Sequence, residues 1–113
     1  MNLAIFDLDN TLLKGDSDYN WALFLIKKGL IEKEAFEKKN EQFFQDYQAG
    51  NLDVYEYCGF QFGVLKNNKR DVIEALRDQY LDEVILPMIP KKAYELVESH
   101  RQKGDRLLII TAT

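Results

Sequence analysis

The sequence predicts an α/β fold in which a helical bundle is inserted into a parallel sheet. Two observations carry this prediction. Short, continuous apolar runs, typical of strands buried in a parallel sheet, lie near both ends of the chain, at residues 3–6 and 106–111. Between them, residues 14–83 are rich in charged and aromatic side chains, and their apolar positions recur at helical spacing. A helical pattern directly before the second run makes the two strands parallel neighbours joined by a crossover.

Composition excludes several classes of protein. The chain has 113 residues, of which 46% are hydrophobic and 12% aromatic, so it fits one folded domain or a small core with an insertion rather than a disordered chain. Its net charge of −4 argues against a nucleic-acid partner, and one cysteine cannot form a disulfide within the chain. The first residues lack the pattern of a signal peptide, so none is expected, and the longest apolar run, residues 21–26, is far shorter than the roughly 20 residues of a membrane span. We therefore expect a cytoplasmic protein that has no membrane partner.

Charge and aromatic content divide the chain into three parts. Residues 1–13 are nearly uncharged, whereas residues 14–83 carry most of the charges and nearly all of the aromatic side chains. Pro87 and Pro90 lie just after the second boundary and favour a linker there, because proline ends helices. We predict a core formed by residues 1–13 and 84–113 and a helical cap formed by residues 14–83.

Residues 14–83 have the apolar spacing of four helices. Asp16 or Ser17 is expected to cap the first helix, and Gly59 and Gly63 weaken the third. We interpret nearly all of the aromatic side chains in this segment as packing residues. The four apolar stripes comprise Trp21, Phe24 and Leu25; Phe36, Phe43, Phe44 and Tyr47; Val54, Tyr57, Cys58, Phe62 and Leu65; and Val72, Ile73, Leu76 and Tyr80.

The last predicted elements are a helix and a strand. Gly104 stands where a helix would end, and the residues at helical spacing before it are Ala93, Leu96, Val97 and His100. The apolar run at residues 106–111 follows at once. A helix that leads directly into a strand is the second half of a βαβ unit.

Asp7 and Asp9 follow the first predicted strand and are the pair most suited to chemistry. Alternate residues of an extended chain point to the same side, so both carboxylates would lie together at the carboxyl end of a parallel strand, where open α/β sheets bind ligands. Two such charges need a cation or a shared proton, and Mg²⁺ prefers oxygen ligands. A phosphate is the natural substrate group. The alternative is turn formation or helix capping by Asp9 or Asn10.

The segment Asp7-Leu8-Asp9-Asn10-Thr11-Leu12 resembles the first motif of the haloacid dehalogenase superfamily, DxDx[TV][LV]. Residues 108–113 are similar to its second motif, a hydrophobic strand that ends in Thr or Ser. A helical cap between these motifs is typical of the class that includes phosphoserine phosphatases, and histidinol-phosphate phosphatases share the layout. The resemblance implies a Rossmann-like parallel sheet core, of which this chain holds only the N-terminal part, with an inserted α-helical bundle cap.

The same resemblance implies Mg²⁺-dependent hydrolysis of a small phosphorylated metabolite through a phosphoaspartate. Asp7 would be the nucleophile, and Asp9 would protonate the leaving oxygen and then activate water. Asp7 through its carboxylate and Asp9 through its backbone carbonyl would ligate Mg²⁺. Thr111 would donate a hydrogen bond to a phosphoryl oxygen. Asp16 would either face a substrate amine or cap the first helix of the cap.

Members of the superfamily carry a third motif with a Lys and a fourth with acidic residues, both after the second motif. This sequence ends at Thr113. We therefore expect it to be the N-terminal part of a longer protein whose missing C-terminal half completes the core and the site. The 113 residues alone would then be a poor or inactive phosphatase. The alternative is a non-catalytic remnant or a partner-binding fragment of this family.

Overall fold

The computed structural model describes all residues from Met1 to Thr113. Residues 1–21 and 78–113 pack into one compact unit, and residues 22–77 pack into a second. Residues 14–21 and 78–83 therefore belong to the unit that contains the strands. The division into a core of residues 1–13 and 84–113 and a cap of residues 14–83 stays a prediction.

The first unit is built around a two-stranded parallel sheet. Strand β1 (Leu3–Phe6) pairs with strand β2 (Arg106–Ile109), in a register that places Phe6 beside Ile109. The predicted parallel pairing of the two apolar runs is confirmed. Because the strands are parallel, their carboxyl ends lie at the same edge of the sheet, and whatever follows them leaves the sheet side by side.

Only one face of this sheet is buried. Ala4 and Phe6 are buried on one side of β1, whereas Leu3 and Ile5 on the other side are more than half exposed. The buried side packs with Leu12 and Ala93 in a small hydrophobic core. Within residues 1–113 the strands are therefore not buried on both faces, because a helix covers one face only.

Helix α7 of the chain (Lys91–Gln102) is that covering helix, and it leads directly into β2. Gly104 follows it with φ 76°, a left-handed conformation that glycine adopts without strain and that ends helices, as predicted. His100, in the last turn, contacts the Asp105 carboxylate at 2.8 Å and packs edge-on against Phe6 at 5.8 Å between ring centres. The C-terminal end of the helix is thus fixed to both strands.

Five α-helices lie between Ser17 and Tyr80, where the sequence predicted four. They are α1 (Ser17–Lys27), α2 (Lys33–Gln48), α3 (Val54–Gln61), α4 (Gly63–Asn67) and α5 (Arg70–Tyr80). The extra helix arises because the predicted third helix is split at Phe62, whose backbone leaves helical geometry before Gly63. Glu32 and Asp53 accept main-chain N–H groups at the starts of α2 and α3 and so satisfy donors that a helix start leaves unpaired.

The chain stays helical beyond α5. A π-helical turn (Leu81–Ile85) follows, in which the N–H of Leu86 donates to the carbonyl of Leu81, and then a short α6 (Leu86–Met88). The linker predicted around both prolines is therefore wrong for Pro87, which lies within this helical run, in the first turn of α6. Pro90 is extended and begins α7, which matches the prediction of a break there.

The second unit has an aromatic core. Phe43 is buried, and its ring packs against Tyr57 and Phe60 with both centres 5.3 Å away, while Phe36 stacks on Phe60 at the same distance. Tyr55, in contrast, is almost fully exposed. Packing is thus the role of these core rings, but not of every aromatic residue in the segment. No helix of the structure is both long and apolar enough to cross a membrane.

Candidate active site

The loop that follows β1 is held by its own main chain. The N–H groups of Thr11, Leu12 and Leu13 all donate to the carbonyl of Leu8, at 3.0 to 3.2 Å. Asn10 has φ 57°, a left-handed conformation that asparagine tolerates better than most residues. These hydrogen bonds limit the movement of the main chain that carries the two carboxylates.

Asp9 is the most constrained of the predicted site residues. Its Oδ1 accepts the N–H of Ser17 at 3.1 Å, and its Oδ2 accepts the hydroxyl of Thr113 at 2.6 Å. Burial works to raise the pKa of Asp9, but the hydrogen bonds from Thr113 and Ser17 outweigh it and hold the pKa below its ordinary value. The Ser17 hydroxyl is buried near the same carboxylate, although no hydrogen bond of ordinary geometry joins them.

Asp7 is exposed and far less tied down. Its Oδ1 accepts the N–H of the next residue, Leu8, at 2.7 Å, and its other carboxylate oxygen has no hydrogen-bond partner in the protein. One oxygen of Asp7 is therefore open to an incoming group, which a nucleophile requires.

Asp16 caps helix α1. Its Oδ1 accepts the N–H groups of Asp18 at 2.9 Å and Tyr19 at 3.0 Å, which is the capping geometry anticipated as one of its two roles. The contact with a substrate amine stays a prediction. Burial, followed by the nearby charges of Asp16 and Asp9, raises the pKa of Asp18 above its ordinary value, so these three carboxylates form one negative region.

Thr111 lies just beyond β2 and is exposed. The N–H of Ile110 donates to the carbonyl of Phe6 at 2.9 Å, so the segments after the two strands leave the sheet together. The Thr111 hydroxyl oxygen accepts the N–H of Thr113 at 3.1 Å and makes no hydrogen bond to either aspartate. The structure thus joins Asp9 to the segment after β2 through Thr113, and the contact of Thr111 with a phosphoryl oxygen stays a prediction.

Three residues of this site escaped the sequence analysis as site residues: Ser17, Thr113 and Tyr80. Thr113 could have been found, since it lies two residues after Thr111 and an extended chain would point both to one side. Tyr80 was assigned to packing, yet a buried tyrosine needs a partner for its hydroxyl. It donates to the carbonyl of Ser17 at 2.5 Å. Burial, then the charges of Asp18, Asp9 and Asp16, raises the pKa of Tyr80 to about 12, so its hydroxyl stays a donor over the usual pH range.

The donors suited to a metal ion are oxygen atoms of Asp7 and Asp9, the type that Mg²⁺ prefers. No three His, Cys, Asp or Glu side chains within residues 1–113 lie together in a way that could hold a metal ion. The aspartates therefore fit a Mg²⁺ ion that is also bound by water, by a phosphate, or by further protein ligands.

Comparisons with known proteins place these observations in context. A family model described as haloacid dehalogenase-like hydrolase matches residues 4–113. The chain is 41% identical over 112 residues to a protein named histidinol-phosphatase from Neisseria meningitidis serogroup C (strain 8013), covering 99% of this chain and 50% of that protein. It is also similar to the crystal structure of a protein with unknown function from Bordetella pertussis Tohama I, with a TM-score of 0.83, 34% identity, and coverage of 99% of this chain and 51% of the other. The chain thus spans about half the length of these relatives.

Proposed function

The chain belongs to the haloacid dehalogenase-like hydrolase family, and from this premise we propose that it carries the nucleophilic part of a Mg²⁺-dependent phosphatase acting on a small phosphomonoester. The observation that carries the proposal is the contrast between two aspartates after one strand. Asp7 has an unpaired carboxylate oxygen, whereas both oxygens of Asp9 accept hydrogen bonds. A free carboxylate suits attack on phosphorus, and a held one suits directed proton transfer.

In the first step, a carboxylate oxygen of Asp7 forms a bond to phosphorus, and the bond from phosphorus to the ester oxygen breaks. Both oxygens of Asp9 accept hydrogen bonds before substrate binds, so Asp9 would take up a proton when the negatively charged phosphate arrives, and it then gives that proton to the leaving oxygen. In the second step, Asp9 takes a proton from water, whose oxygen attacks phosphorus and frees Asp7 and inorganic phosphate. Dividing one difficult displacement into two easier ones is the advantage of a covalent intermediate.

Mg²⁺, when bound, would offset the negative charge of the phosphoryl oxygens beside the aspartates. The ligands from this chain would be the Asp7 carboxylate and the backbone carbonyl of Asp9. Thr111 would donate its hydroxyl to a phosphoryl oxygen. Its present contact, with the N–H of Thr113, uses the oxygen as an acceptor and leaves the hydroxyl proton available.

The substrate class that we favour is an amine-bearing phosphomonoester. Asp16, Asp18 and Asp9 form a negative region at the start of α1, which would attract a cationic group on the substrate. The relative named histidinol-phosphatase supports the same class. A phosphoserine-like substrate carries an amine too and belongs to the same proposal.

We also propose that the complete active site draws on residues beyond these 113. The relatives are about twice as long as the chain. One face of the sheet exposes apolar side chains, among them Leu3, Ile5 and Leu108, which further core elements would cover. Turnover by residues 1–113 alone that equals turnover by the full-length protein would contradict this part of the proposal.

The direct test is phosphate release from p-nitrophenyl phosphate by the full-length protein, with and without Mg²⁺. We expect activity with Mg²⁺, its loss with a chelator, and its loss in Asp7→Asn. Asp82→Asn, which removes an exposed carboxylate in the π-helical turn, is the matched control and should keep full activity. Absence of activity toward a panel of phosphomonoesters, including amine-bearing ones, would instead favour a non-catalytic remnant or partner-binding protein.

A further inference from the structure

Tyr80 joins two parts of the first unit that lie far apart in sequence. Its hydroxyl donates to the main-chain carbonyl of Ser17 at 2.5 Å across 63 residues. The side chain is buried, and its ring packs edge-on against Trp21 with centres 5.0 Å apart. The hydroxyl is therefore held by packing of the ring and is directed at one acceptor.

That acceptor belongs to the residue that holds Asp9. The N–H of Ser17 donates to Oδ1 of Asp9 at 3.1 Å, while its carbonyl accepts from Tyr80. Ser17 is the first residue of α1, and helix starts fray easily because their N–H groups lack partners within the helix. A buried hydroxyl bonded to this first residue restrains the helix start at the point where it touches the carboxylate.

We propose that Tyr80 is a positioning residue for Asp9: its hydroxyl fixes the main chain of Ser17, which in turn orients the Asp9 carboxylate for proton transfer. The inference rests on the proposed phosphatase function, in which Asp9 is the acid and base. Tyr80 itself takes no part in the bonds made or broken.

The hydroxyl, rather than the ring, is the informative part of this side chain. A phenylalanine would fill the same space and make the same edge-on contact with Trp21. The position is also unusual in the backbone, because Tyr80 is the last residue before the π-helical turn, and such turns are frequent at functional sites. The buried hydroxyl and the π-helical turn after Tyr80 are both explained if the hydroxyl has to reach the carbonyl of Ser17.

The test compares leaving groups in the full-length protein. In the first step an alkyl phosphomonoester needs a proton from Asp9, whereas p-nitrophenol leaves without one. Misplacing Asp9 should therefore slow the first step for the alkyl substrate only, although it slows hydrolysis of the intermediate for both. We expect Tyr80→Phe to lower the single-turnover rate of leaving-group release about tenfold for the alkyl substrate and to change it less than about twofold for p-nitrophenyl phosphate. The substrate concentration that gives half of that rate should stay nearly unchanged for both. Tyr94→Phe, on an exposed tyrosine of α7, is the matched control and should change neither rate.

Asp9→Asn separates the proposed phosphatase function from the proposed positioning role of Tyr80. If it shows the leaving-group difference and Tyr80→Phe does not, the phosphatase proposal stands and the role of Tyr80 is packing alone. If Asp9→Asn shows no such difference, the assignment of Asp9 as the acid fails first. An equal loss of the first-step rate on both substrates in Tyr80→Phe would likewise overturn the positioning role.

Hydrogen exchange gives a second measurement that needs no turnover. In the wild-type protein the Ser17 amide should be protected, and in Tyr80→Phe it should exchange at least about tenfold faster, whereas in Tyr94→Phe it should not. Should Tyr80→Phe fail to fold, the wild-type measurement carries the test, and unprotected exchange at Ser17 would overturn the proposal.

Discussion

The hydroxyl of Thr113 donates to Oδ2 of Asp9 at 2.6 Å, although 104 residues separate them. The bond joins the segment after β2 to the loop after β1, and it occupies the carboxylate oxygen that Ser17 does not. Asp9 is therefore restrained from both sides, and Asp7, two residues earlier, is not. This difference between neighbouring aspartates underlies the first prediction.

Asn substitutions at the two aspartates should have different consequences in the full-length protein. Asp7→Asn should abolish turnover, because an amide cannot form the acyl phosphate. Asp9→Asn should still attack p-nitrophenyl phosphate but hydrolyse the intermediate about 10²–10⁴-fold more slowly, because activation of water is lost. Asp7 should then accumulate as a phosphorylated residue, visible as a mass gain that hydroxylamine removes. A label on Asp9 instead would reverse the roles assigned here.

Asp16 can be tested separately as a helix cap and as a charge. Asp16→Ala should lower the free energy of unfolding by about 1 kcal/mol, since two N–H groups at the start of α1 lose their acceptor. Asp16→Asn keeps an oxygen for the cap and should cost far less stability. If the carboxylate also binds a substrate amine, Asp16→Asn should raise KM for an amine-bearing phosphoester roughly tenfold or more. An equal effect on a plain phosphoester would leave Asp16 with the capping role alone.

Local signals in the sequence were sufficient for the strands, for the start of α1 and for the end of α7. Apolar runs marked β1 and β2, because a strand that packs in a core needs apolar side chains. Gly104 marked the end of α7, because glycine adopts the left-handed conformation of a helix end without strain. The split at Phe62 and the helical placement of Pro87 were missed. The split and the placement of Pro87 both depend on backbone geometry that several neighbouring residues determine together. The spacing of apolar residues carries no information about that geometry.

The residues of the candidate site likewise divide into those that local sequence signals predict and those that they do not. Asp7, Asp9 and the capping of α1 by Asp16 follow from their positions relative to a strand and a helix. The contacts of Tyr80 and Thr113 join residues far apart in the chain and depend on how the unit packs. A tyrosine in an apolar stripe signals burial, but the partner of its hydroxyl is known only from the packed structure.

Gly15 should tolerate no side chain, mainly for a backbone reason. Its φ is 140°, which L residues rarely adopt, and a Cβ there would lie 2.8 Å from the Cε of Met88. Because that methyl group ends a flexible side chain, the clash should be relieved cheaply while the strain remains. We expect Gly15→Ala to lower the free energy of unfolding by about 1–3 kcal/mol in urea titrations.

A double-mutant cycle separates the two causes at Gly15. If backbone strain dominates, the effects of Gly15→Ala and Met88→Ala should add to within about 0.5 kcal/mol. Gly59→Ala is the control, because Gly59 lies inside α3 with no neighbour near its missing Cβ, and it should stabilise by about 0.5–1 kcal/mol. A large coupling between Gly15→Ala and Met88→Ala would show that the clash dominates.

The contact between His100 and Asp105 should govern part of the acid stability of the first unit. The hydrogen bond from His100 lowers the pKa of Asp105 below its ordinary value, against the opposing effect of burial. A carboxyl group whose pKa is lower in the folded state binds fewer protons there than in the unfolded state. Its contribution to stability is therefore complete above the unfolded pKa, near 3.8, and is lost as pH falls through the folded value.

Asp105→Asn removes this titration, so the free energy of unfolding of the variant should lie below that of the wild-type protein near pH 7, with the difference shrinking as the pH approaches about 2. Urea titrations across this range measure it. His100→Phe keeps an aromatic ring against Phe6 but removes the donor. In a protein that carries His100→Phe, Asp105→Asn should therefore cause a smaller pH-dependent difference in the free energy of unfolding. In a protein that carries Asp82→Asn, at an exposed carboxylate, that difference should be unchanged. A difference between Asp105→Asn and the wild-type protein that stayed constant over the whole range would mean that Asp105 stabilises the turn between α7 and β2 by its shape and its contact with the main chain, and not by its charge.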